Sequence, residues 1–226
     1  MTYAMPILLA ILGALAMYRF STWRTGRMLD EKSTALEDAA LAPVLDRLAR
    51  ALDLPRLRVQ VFEIAPVNGL AAPDGRIFLT RGFLERYRRG EFAPEELASV
   101  VAHELGHVAL GHSNRRMIDF TGQNVIRTAV TLLIGRLIPG VGVLIANAVA
   151  GILAAHLSRR DEYEADAYAA ALMTKAGLGT RPQIALLAKL DAMSGQGAAP
   201  AWFMSHPAAR DRIAAIEALD AGWRAR

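Results

Sequence analysis

The chain opens with an apolar run: residues 1–18 carry no charged side chain and are mostly Ala, Leu, Ile and Met. Eighteen helical residues extend about 27 Å, which is just enough to cross the hydrocarbon core of a bilayer. Arg19, Arg24 and Arg27 follow the run, and positive residues favour the cytoplasmic side of a membrane. We therefore expect residues 1–20 to be an uncleaved transmembrane anchor in the cell (inner) membrane, with the catalytic domain in the cytoplasm.

Two other interpretations of the apolar run stay open. Ala14-Leu15-Ala16 resembles a signal-peptide cleavage site, and cleavage there would give a secreted or periplasmic protein. Against cleavage, the basic residues follow the apolar run, whereas a signal peptide carries them before it. The run would otherwise be a helix buried in the fold.

Residues 21–32 are polar and predict a tether to one domain, which spans residues 33–226. Residues 33–52 then show the apolar spacing of an amphipathic helix, at Leu36, Ala40, Leu41, Val44, Leu45, Leu48 and Leu52. Such a helix packs one face against a core and carries no candidate chemistry.

Three short strands are predicted after this helix. Residues 57–64 alternate between apolar and polar side chains, and residues 67–71 and 76–80 flank the turn signal Pro73-Asp74-Gly75. We expect a small antiparallel sheet within an α+β, mainly helical fold. A sheet edge at this place can pair with the backbone of an extended peptide; the alternative is an edge that binds nothing, as most edge strands do.

The strongest chemical signal follows the sheet, in the string His103-Glu104-Leu105-Gly106-His107. Pro94 is a good first residue for a helix that contains this string. On a helix, the two imidazoles lie one turn apart on the same face, where they can hold one zinc ion. Glu104 is then placed to act as a general base on a water molecule at the metal.

His112 extends the string but does not fit the ligand set. On a regular helix it lies about 180° from His103, so it cannot join the other two imidazoles without a break in the helix. We therefore leave His112 out of the predicted zinc ligands.

Zinc needs a third protein ligand and an open fourth position. The chain has no Cys, so the candidates are Asp, Glu and a further His. The densest later cluster of such residues is at 158–167, where Glu162 and Asp166 are four positions apart and share a helical face. A carboxylate from this second helix would complete the site; the alternative is an ordinary charged helix surface.

These two motifs together resemble the zinc metallopeptidase family of HtpX and the CAAX prenyl endopeptidases. The resemblance rests on HExxH followed some fifty residues later by Ser158-Arg159-x-x-Glu162-Tyr163-x-Ala165-Asp166. It covers roughly residues 59–219 and implies a gluzincin-type domain with one Zn²⁺ per chain. It also implies that Glu162 is the third ligand and that Asp166 supports the site, whereas Glu164 does not occupy the ligand position.

Two more stretches carry the resemblance. Asn68, Gly69, Leu70 and Ala71 resemble the family's substrate-binding edge strand, and residues 76–82 resemble the next strand. Further on, Ser205-His206-Pro207 with Arg210 and Arg212-Ile213 resembles its C-terminal His-Pro element. The resemblance implies that His206 lines the cleft, where it either stabilises the oxyanion of the reaction or blocks the fourth zinc position. Arg210 is expected to anchor that loop through a carboxylate.

Residues 137–157 form a second uncharged stretch, which is long enough to span a membrane but contains Pro139, Gly140, Gly142, Asn147 and Gly151. His107 and Glu162 must bind the same ion, so the chain between them cannot cross a membrane an odd number of times. Two crossings would place Arg127 near the middle of the bilayer, which is costly. We expect a helical pair over the site or at the membrane surface, with a membrane hairpin as the alternative.

Composition narrows the function further. The chain is 53% hydrophobic and 21% charged, which excludes disorder and favours membrane association. Its net charge of +4 comes from scattered arginines without a basic stripe, so nucleic acid is not an expected partner. The absence of Cys excludes disulfides, thiolate zinc sites and thiol catalysis.

The sequence therefore predicts a zinc-dependent endopeptidase. The resemblance suggests that it cleaves unfolded or damaged membrane proteins, and no oligomeric state is predicted. The main alternative is a non-proteolytic zinc-binding membrane scaffold or chaperone of the same fold. Processing of prenylated proteins is a third possibility, disfavoured because it would need a large intramembrane chamber that one anchor and about 200 further residues do not supply.

Overall fold

The computed structural model describes residues 4–72, 74–112, 141–194, 202, 206 and 209–225. These residues form seven helices and four strands. In chain order the elements are α1 (Ala4–Glu31), β1 (Ser33–Ala35), α2 (Ala42–Ala51), β2 (Val59–Phe62), β3 (Gly69–Ala71), β4 (Ile77–Thr80), α3 (Arg81–Arg88), α4 (Pro94–Ala109), α5 (Val141–Lys175), α6 (Arg181–Ser194) and α7 (Ala209–Arg224).

The four strands form a mixed sheet in the order β1-β2-β4-β3. β1 pairs with β2 and β3 pairs with β4 in antiparallel fashion, but the central strands β2 and β4 are parallel. The expectation of an antiparallel sheet is therefore wrong for the central pair. The chain forms the β3–β4 hairpin with β3 on the outside, so β4 returns alongside β2 in the same direction, which residue alternation within each strand cannot reveal.

Each of the three predicted strand regions contains an observed strand, but β1 was not predicted. Residues 33–35 were expected to begin a helix, and they instead pair with β2, with Ser33 opposite Phe62. The helix begins only at Ala42, because the Asp38 carboxylate accepts the backbone N–H groups of Ala40 and Leu41 and forms a turn before it.

α1 continues through most of the segment that was expected to be a tether. It ends at Glu31, and Arg27 and Glu31 form an ion pair one turn apart. Near this end, Leu29 is fully buried against Phe62 and Phe78 of the sheet. The last turn of α1 is therefore packed onto the domain.

Among the helices that the described ranges include, none combines the length and apolar character that a membrane crossing requires. Residues 113–140, where part of the helical pair or hairpin was expected, lie outside the described residues. From Val141 the chain is one continuous helix, α5, to Lys175.

The main core lies between the sheet and α4, and it also includes side chains of α3 and α6. α4 contacts the sheet, α2, α5 and α6, so it is the central helix of the domain. Its buried apolar residues in this core are Leu97, Val100 and Val101, which pack with Val61, Ile77, Leu79, Phe83, Leu186 and Leu190. This position places the predicted zinc ligands of α4 between the sheet and α5.

Candidate metal centre

α4 carries the two histidines of the HExxH string on one buried face. Pro94 occupies the first turn, and the Glu96 carboxylate accepts the backbone N–H of Ala93 at 2.8 Å, which satisfies a donor at the start of the helix. His103 and His107 are 2% and 7% exposed, and their Nε2 atoms lie 3.1 Å apart. The helix thus aims two nitrogen donors at one point, as the spacing predicts.

α5 brings a carboxylate to the same point. Oε2 of Glu162 lies 3.4 Å from Nε2 of His103, and Oε1 lies 3.5 Å from Nε2 of His107. The close approach of the two helices depends on Gly106, because a β-carbon there would lie 3.0 Å from both Cα and the carbonyl oxygen of Ala165. Two backbones can meet this closely only where one of them has no side chain.

His206 completes a group of four donors. Its Nδ1 lies 2.7 Å from Oε2 of Glu162 and 3.4 Å from Nε2 of His103. Donor atoms of His103, His107, Glu162 and His206 all lie within 4.8 Å of one another. In a tetrahedral zinc site with bonds of about 2.0 Å, neighbouring donors are separated by roughly 3.3 Å. Most of the observed separations are close to this value.

The charge of the site also fits a divalent cation. Glu104, Glu162 and Asp166 are three buried carboxylates, and Arg212 is the buried cation beside them. With neutral imidazoles, these groups sum to two negative charges in a poorly solvated place. A bound Zn²⁺ would neutralise them, and imidazole with carboxylate is a donor set that zinc accepts.

His103 is oriented by the Asp166 carboxylate of α5, which the Arg212 guanidinium of α7 holds in place. Its Nδ1 lies 3.0 Å from Oδ1 of Asp166. Arg212 donates to both oxygens of the same carboxylate, from Nε at 2.6 Å and from Nη2 at 2.8 Å. The Gln183 amide also donates to Oδ1, at 3.3 Å. Hydrogen bonds of this kind fix which nitrogen of His103 faces the other donors.

The protonation of the site follows from these contacts. Burial lowers the pKa of His103, but hydrogen bonds with Asp166 and Glu162 outweigh it and raise the pKa to about 9. Burial and the neighbouring charge of His103 lower the pKa of His107 to about 2. Burial raises the pKa of Asp166, yet the hydrogen bonds from Arg212 bring it down to about 2. Without metal, the raised pKa of His103 means that its ring carries a second proton at neutral pH, which zinc binding would release.

Glu104 lies between the donor cluster and the sheet. Within the described part of the chain, its buried Oε1 has no hydrogen-bond partner, and Nε2 of His206 lies 3.5 Å from it. A β-carbon at Gly69 would lie 3.5 Å from the same oxygen and 2.5 Å from Cγ1 of Val100. Glycine at this position lets β3 pack against the Val100 side chain of α4, and this packing brings the strand beside the Glu104 carboxylate.

The remaining predicted substrate residues lie on or beside β3. Leu70 and Ala71 pair with Phe78 and Ile77, and Asn68 precedes the strand, its backbone N–H donating to Oγ1 of Thr80 at 3.0 Å. β3 is an outer strand of the sheet. The structure thus brings all four predicted residues to one edge near the donor cluster.

Two residues near the C-terminus were not given a role from the sequence. Arg212, not Arg210, is the buried arginine: the Arg210 side chain is 91% exposed and lies 3.6 Å from Asp191. Trp202 is buried, its ring lies 4.3 Å from that of His206, and its backbone N–H donates to the carbonyl of Val67. Arg210 was expected to anchor this loop, because the Arg-x-Arg spacing does not show which of the two side chains is buried, and a lone Trp gave no signal.

His112 lies closer to the site than its helical angle suggested. α4 ends at Ala109, and Gly111 adopts φ of +67°, a left-handed conformation that reverses the chain. Nδ1 of His112 then lies 2.8 Å from Nδ1 of His107, on the side of that ring facing away from the donor cluster. His112 stays outside the four-donor group but contacts one of its members.

Comparison with known proteins identifies related chains. Residues 35–220 match the sequence profile described as peptidase family M48. A protease HtpX homolog of Bordetella pertussis is 30% identical over 250 residues, covering 92% of this chain and 80% of the relative. The homolog of Bordetella avium is 32% identical over 80% of this chain and 71% of its own. Metalloprotease LoiP of Escherichia coli is 27% identical, covering 76% and 66%.

Replacing Gly106 with Ala tests whether the α4–α5 approach forms the site. The added methyl group meets the backbone of Ala165, so α5 must move away and carry Glu162 with it. We expect Gly106→Ala to lower stability by about 1–3 kcal/mol and to weaken zinc binding by about tenfold, as measured by chemical unfolding and by competition with a chelator.

Gly222→Ala is the matched control, since a β-carbon there meets nothing within 4 Å. It should leave zinc binding unchanged. Wild-type zinc affinity in Gly106→Ala would show that the close packing is not needed for the donor geometry.

Proposed function

The chain belongs to peptidase family M48, and from this premise we propose that it is a zinc-dependent endopeptidase. The observation that carries the proposal is the buried cluster of His103, His107, Glu162 and His206 beside the carboxylate of Glu104. The names of the relatives, which include protease and metalloprotease, support the same reaction class.

We assign the metal to His103, His107 and Glu162. Zinc bound there would supply a water molecule of lowered pKa and would polarise the carbonyl of the scissile peptide bond. Asp166 accepts a hydrogen bond from Nδ1–H of His103 and so keeps Nε2 of that ring available as a ligand.

Glu104 is proposed to be the general base. Its buried Oε1 is a free acceptor among the described residues, so a proton taken from water at the cluster has a place to go. The same carboxyl group would then donate that proton to the leaving amine. Glu104 belongs to the same helix as both histidines, so its position relative to them does not depend on a mobile loop.

The substrate is proposed to be an extended polypeptide. β3 lies at the edge of the sheet, where a further strand can pair with its backbone, and Gly69 of that strand lies beside Glu104. A folded segment cannot present its backbone in this way. The substrate must therefore be unfolded or flexible at the bond that is cleaved, which suits damaged membrane proteins.

His206 is proposed to occupy the fourth position in a resting enzyme. Nδ1 of His206 lies among the other donors, and the ring is 5% exposed and packed against Trp202. An oxyanion-stabilising group would instead sit beside an empty fourth position. His206 must then move before water and substrate can enter, and the contact of Trp202 with Val67 links that movement to the region just before β3.

The alternative function is a zinc-binding scaffold or chaperone without proteolysis. Such a protein needs the metal ligands for its fold but has no use for a carboxylate whose acceptor oxygen faces the cluster. The buried Glu104 costs solvation energy that a scaffold would gain nothing from. The proposal of an enzyme therefore rests on this residue more than on the ligands.

The substitution Glu104→Gln tests the enzyme directly. The amide keeps the size of the side chain but cannot take a proton, so we expect zinc to stay bound while cleavage of unfolded casein falls by at least about 100-fold. Zinc content and the rate of peptide release are measured on the same preparations.

Glu85→Gln, an identical change on the exposed face of α3, serves as the control and should cleave casein at the wild-type rate. If wild-type protein with bound zinc cleaves no unfolded substrate, the peptidase is refuted and the scaffold function stands. Undiminished cleavage by Glu104→Gln would remove Glu104 from the mechanism.

We also propose that α1 associates with a membrane. Large apolar side chains stand out from it, with Met17, Phe20 and Trp23 at 75%, 59% and 57% exposure. Arg24 and Arg27 lie on the same stretch of helix, where they would contact anionic headgroups. A cytoplasmic catalytic domain remains our proposal, based on the arginines that follow the apolar run.

The double substitution Phe20→Ser and Trp23→Ser tests this proposal. Removing both rings should weaken binding of the full chain to vesicles with anionic phospholipid by about tenfold or more, as measured by vesicle flotation. Trp223→Ser, at a partly exposed tryptophan of α7, is the control and should bind as wild type does. If the double variant binds the vesicles as well as the control does, Phe20 and Trp23 do not contact the membrane.

A further inference from the structure

A second group of donor side chains lies directly behind the proposed zinc site. His112, Asp161 and Glu164 have potential ligand atoms within 4.8 Å of one another, a pattern that would suit another metal ion. His112 and Asp161 are 1% and 2% exposed. The positions of the imidazole protons decide whether this group binds metal.

The proposed role of His107 as a zinc ligand determines which ring nitrogen carries its proton. Nε2 of His107 faces the donor cluster, 3.1 Å from Nε2 of His103. A neutral imidazole carries one proton, so a ring that uses Nε2 as a ligand carries that proton on Nδ1. The Nδ1–H of His107 must then find an acceptor, because a buried donor without one is costly.

The proton of His112 follows from that of His107. The two Nδ1 atoms lie 2.8 Å apart, a hydrogen-bond distance at which only one of them can carry a proton. Since His107 is the donor, Nδ1 of His112 is the acceptor, and a neutral His112 holds its own proton on Nε2. Nε2 of His112 lies 3.3 Å from Oε2 of Glu164 and 3.8 Å from Oδ1 of Asp161.

We infer that His112 is a positioning residue for the zinc ligand His107, and that His112, Asp161 and Glu164 do not form a second metal site. A nitrogen that carries a proton has no lone pair for a metal, so Nε2 of His112 donates to the carboxylates instead. The inference rests on the proposed zinc site, in which His107 binds through Nε2.

This arrangement gives each ligand histidine its own support. His103 donates to the Asp166 carboxylate, which Arg212 holds. His107 donates to a neutral imidazole, which a carboxylate orients in turn. Glu164, which the family resemblance places outside the ligand position, gains a role at the end of this second set of hydrogen bonds, and Arg160 donates to its Oε1 at 2.8 Å.

The matched pair His112→Asn and His112→Leu tests the hydrogen bond. Asn keeps an acceptor oxygen near the position of Nδ1, whereas Leu has similar volume and no acceptor. We expect His112→Leu to raise the Kd for zinc by about 10- to 100-fold, and His112→Asn to stay within about threefold of wild type. The Kd is measured by chelator competition on the full chain, and thermal unfolding of the metal-free proteins checks the fold.

Metal stoichiometry gives a second readout. Wild type and both variants should bind one zinc per chain at saturation. Two zinc ions in wild type, with one lost in both variants, would establish a second metal site and overturn the inference. Equal weakening by Asn and Leu, or no weakening by Leu, would also overturn it.

A measurement on wild type does not depend on how the variants fold. The ¹⁵N shifts of the His112 ring in the zinc-loaded chain should identify the tautomer with the proton on Nε2; a proton on Nδ1 contradicts the inference. If the wild-type protein binds zinc but cleaves no peptide, the proposed peptidase function is refuted. The zinc affinities of the two His112 variants still decide the role of His112 in that case. Wild type that binds no zinc would overturn both.

Discussion

The buried pair of Asp166 and Arg212 is the interaction on which the site depends. Arg212 is 1% exposed and donates to both oxygens of Asp166, which in turn lies 3.0 Å from Nδ1 of His103. The three residues join α7, α5 and α4 at one place. Removing one partner of a buried pair leaves an uncompensated charge, so α7 is part of the candidate metal site.

Close backbone approaches are the second constraint. Gly106 lets α5 approach α4, and Gly69 lets the edge strand pack on Val100 of α4, beside Glu104. The first contact sets the distance between the two histidines of α4 and the Glu162 carboxylate, and the second brings the edge of the sheet beside Glu104, the proposed general base. A donor cluster, a base and a binding edge are thus brought together by two positions that lack a side chain.

Much of this could be predicted from the sequence, because helix spacing alone puts His103 and His107 on one face and because α4 is a regular helix. Glu162 needed the family resemblance, since nothing in its own segment separates a ligand from a surface charge. The parallel pairing of β2 with β4 and the strand β1 depend on long-range partners that no local pattern encodes. His112 lies outside the donor cluster, in agreement with its exclusion as a ligand, but its contact with His107 could not be predicted, because α4 ends at Ala109 and Gly111 turns the chain.

Zinc K-edge X-ray absorption on the full chain and on His206→Ala tests the central claim that these four residues surround one ion. We expect zinc with three imidazole nitrogens and carboxylate oxygen in wild type, and with two imidazole nitrogens in His206→Ala. The same number of imidazole ligands in both proteins would show that His206 does not bind the zinc ion. A zinc ion with one imidazole or none would contradict the site itself.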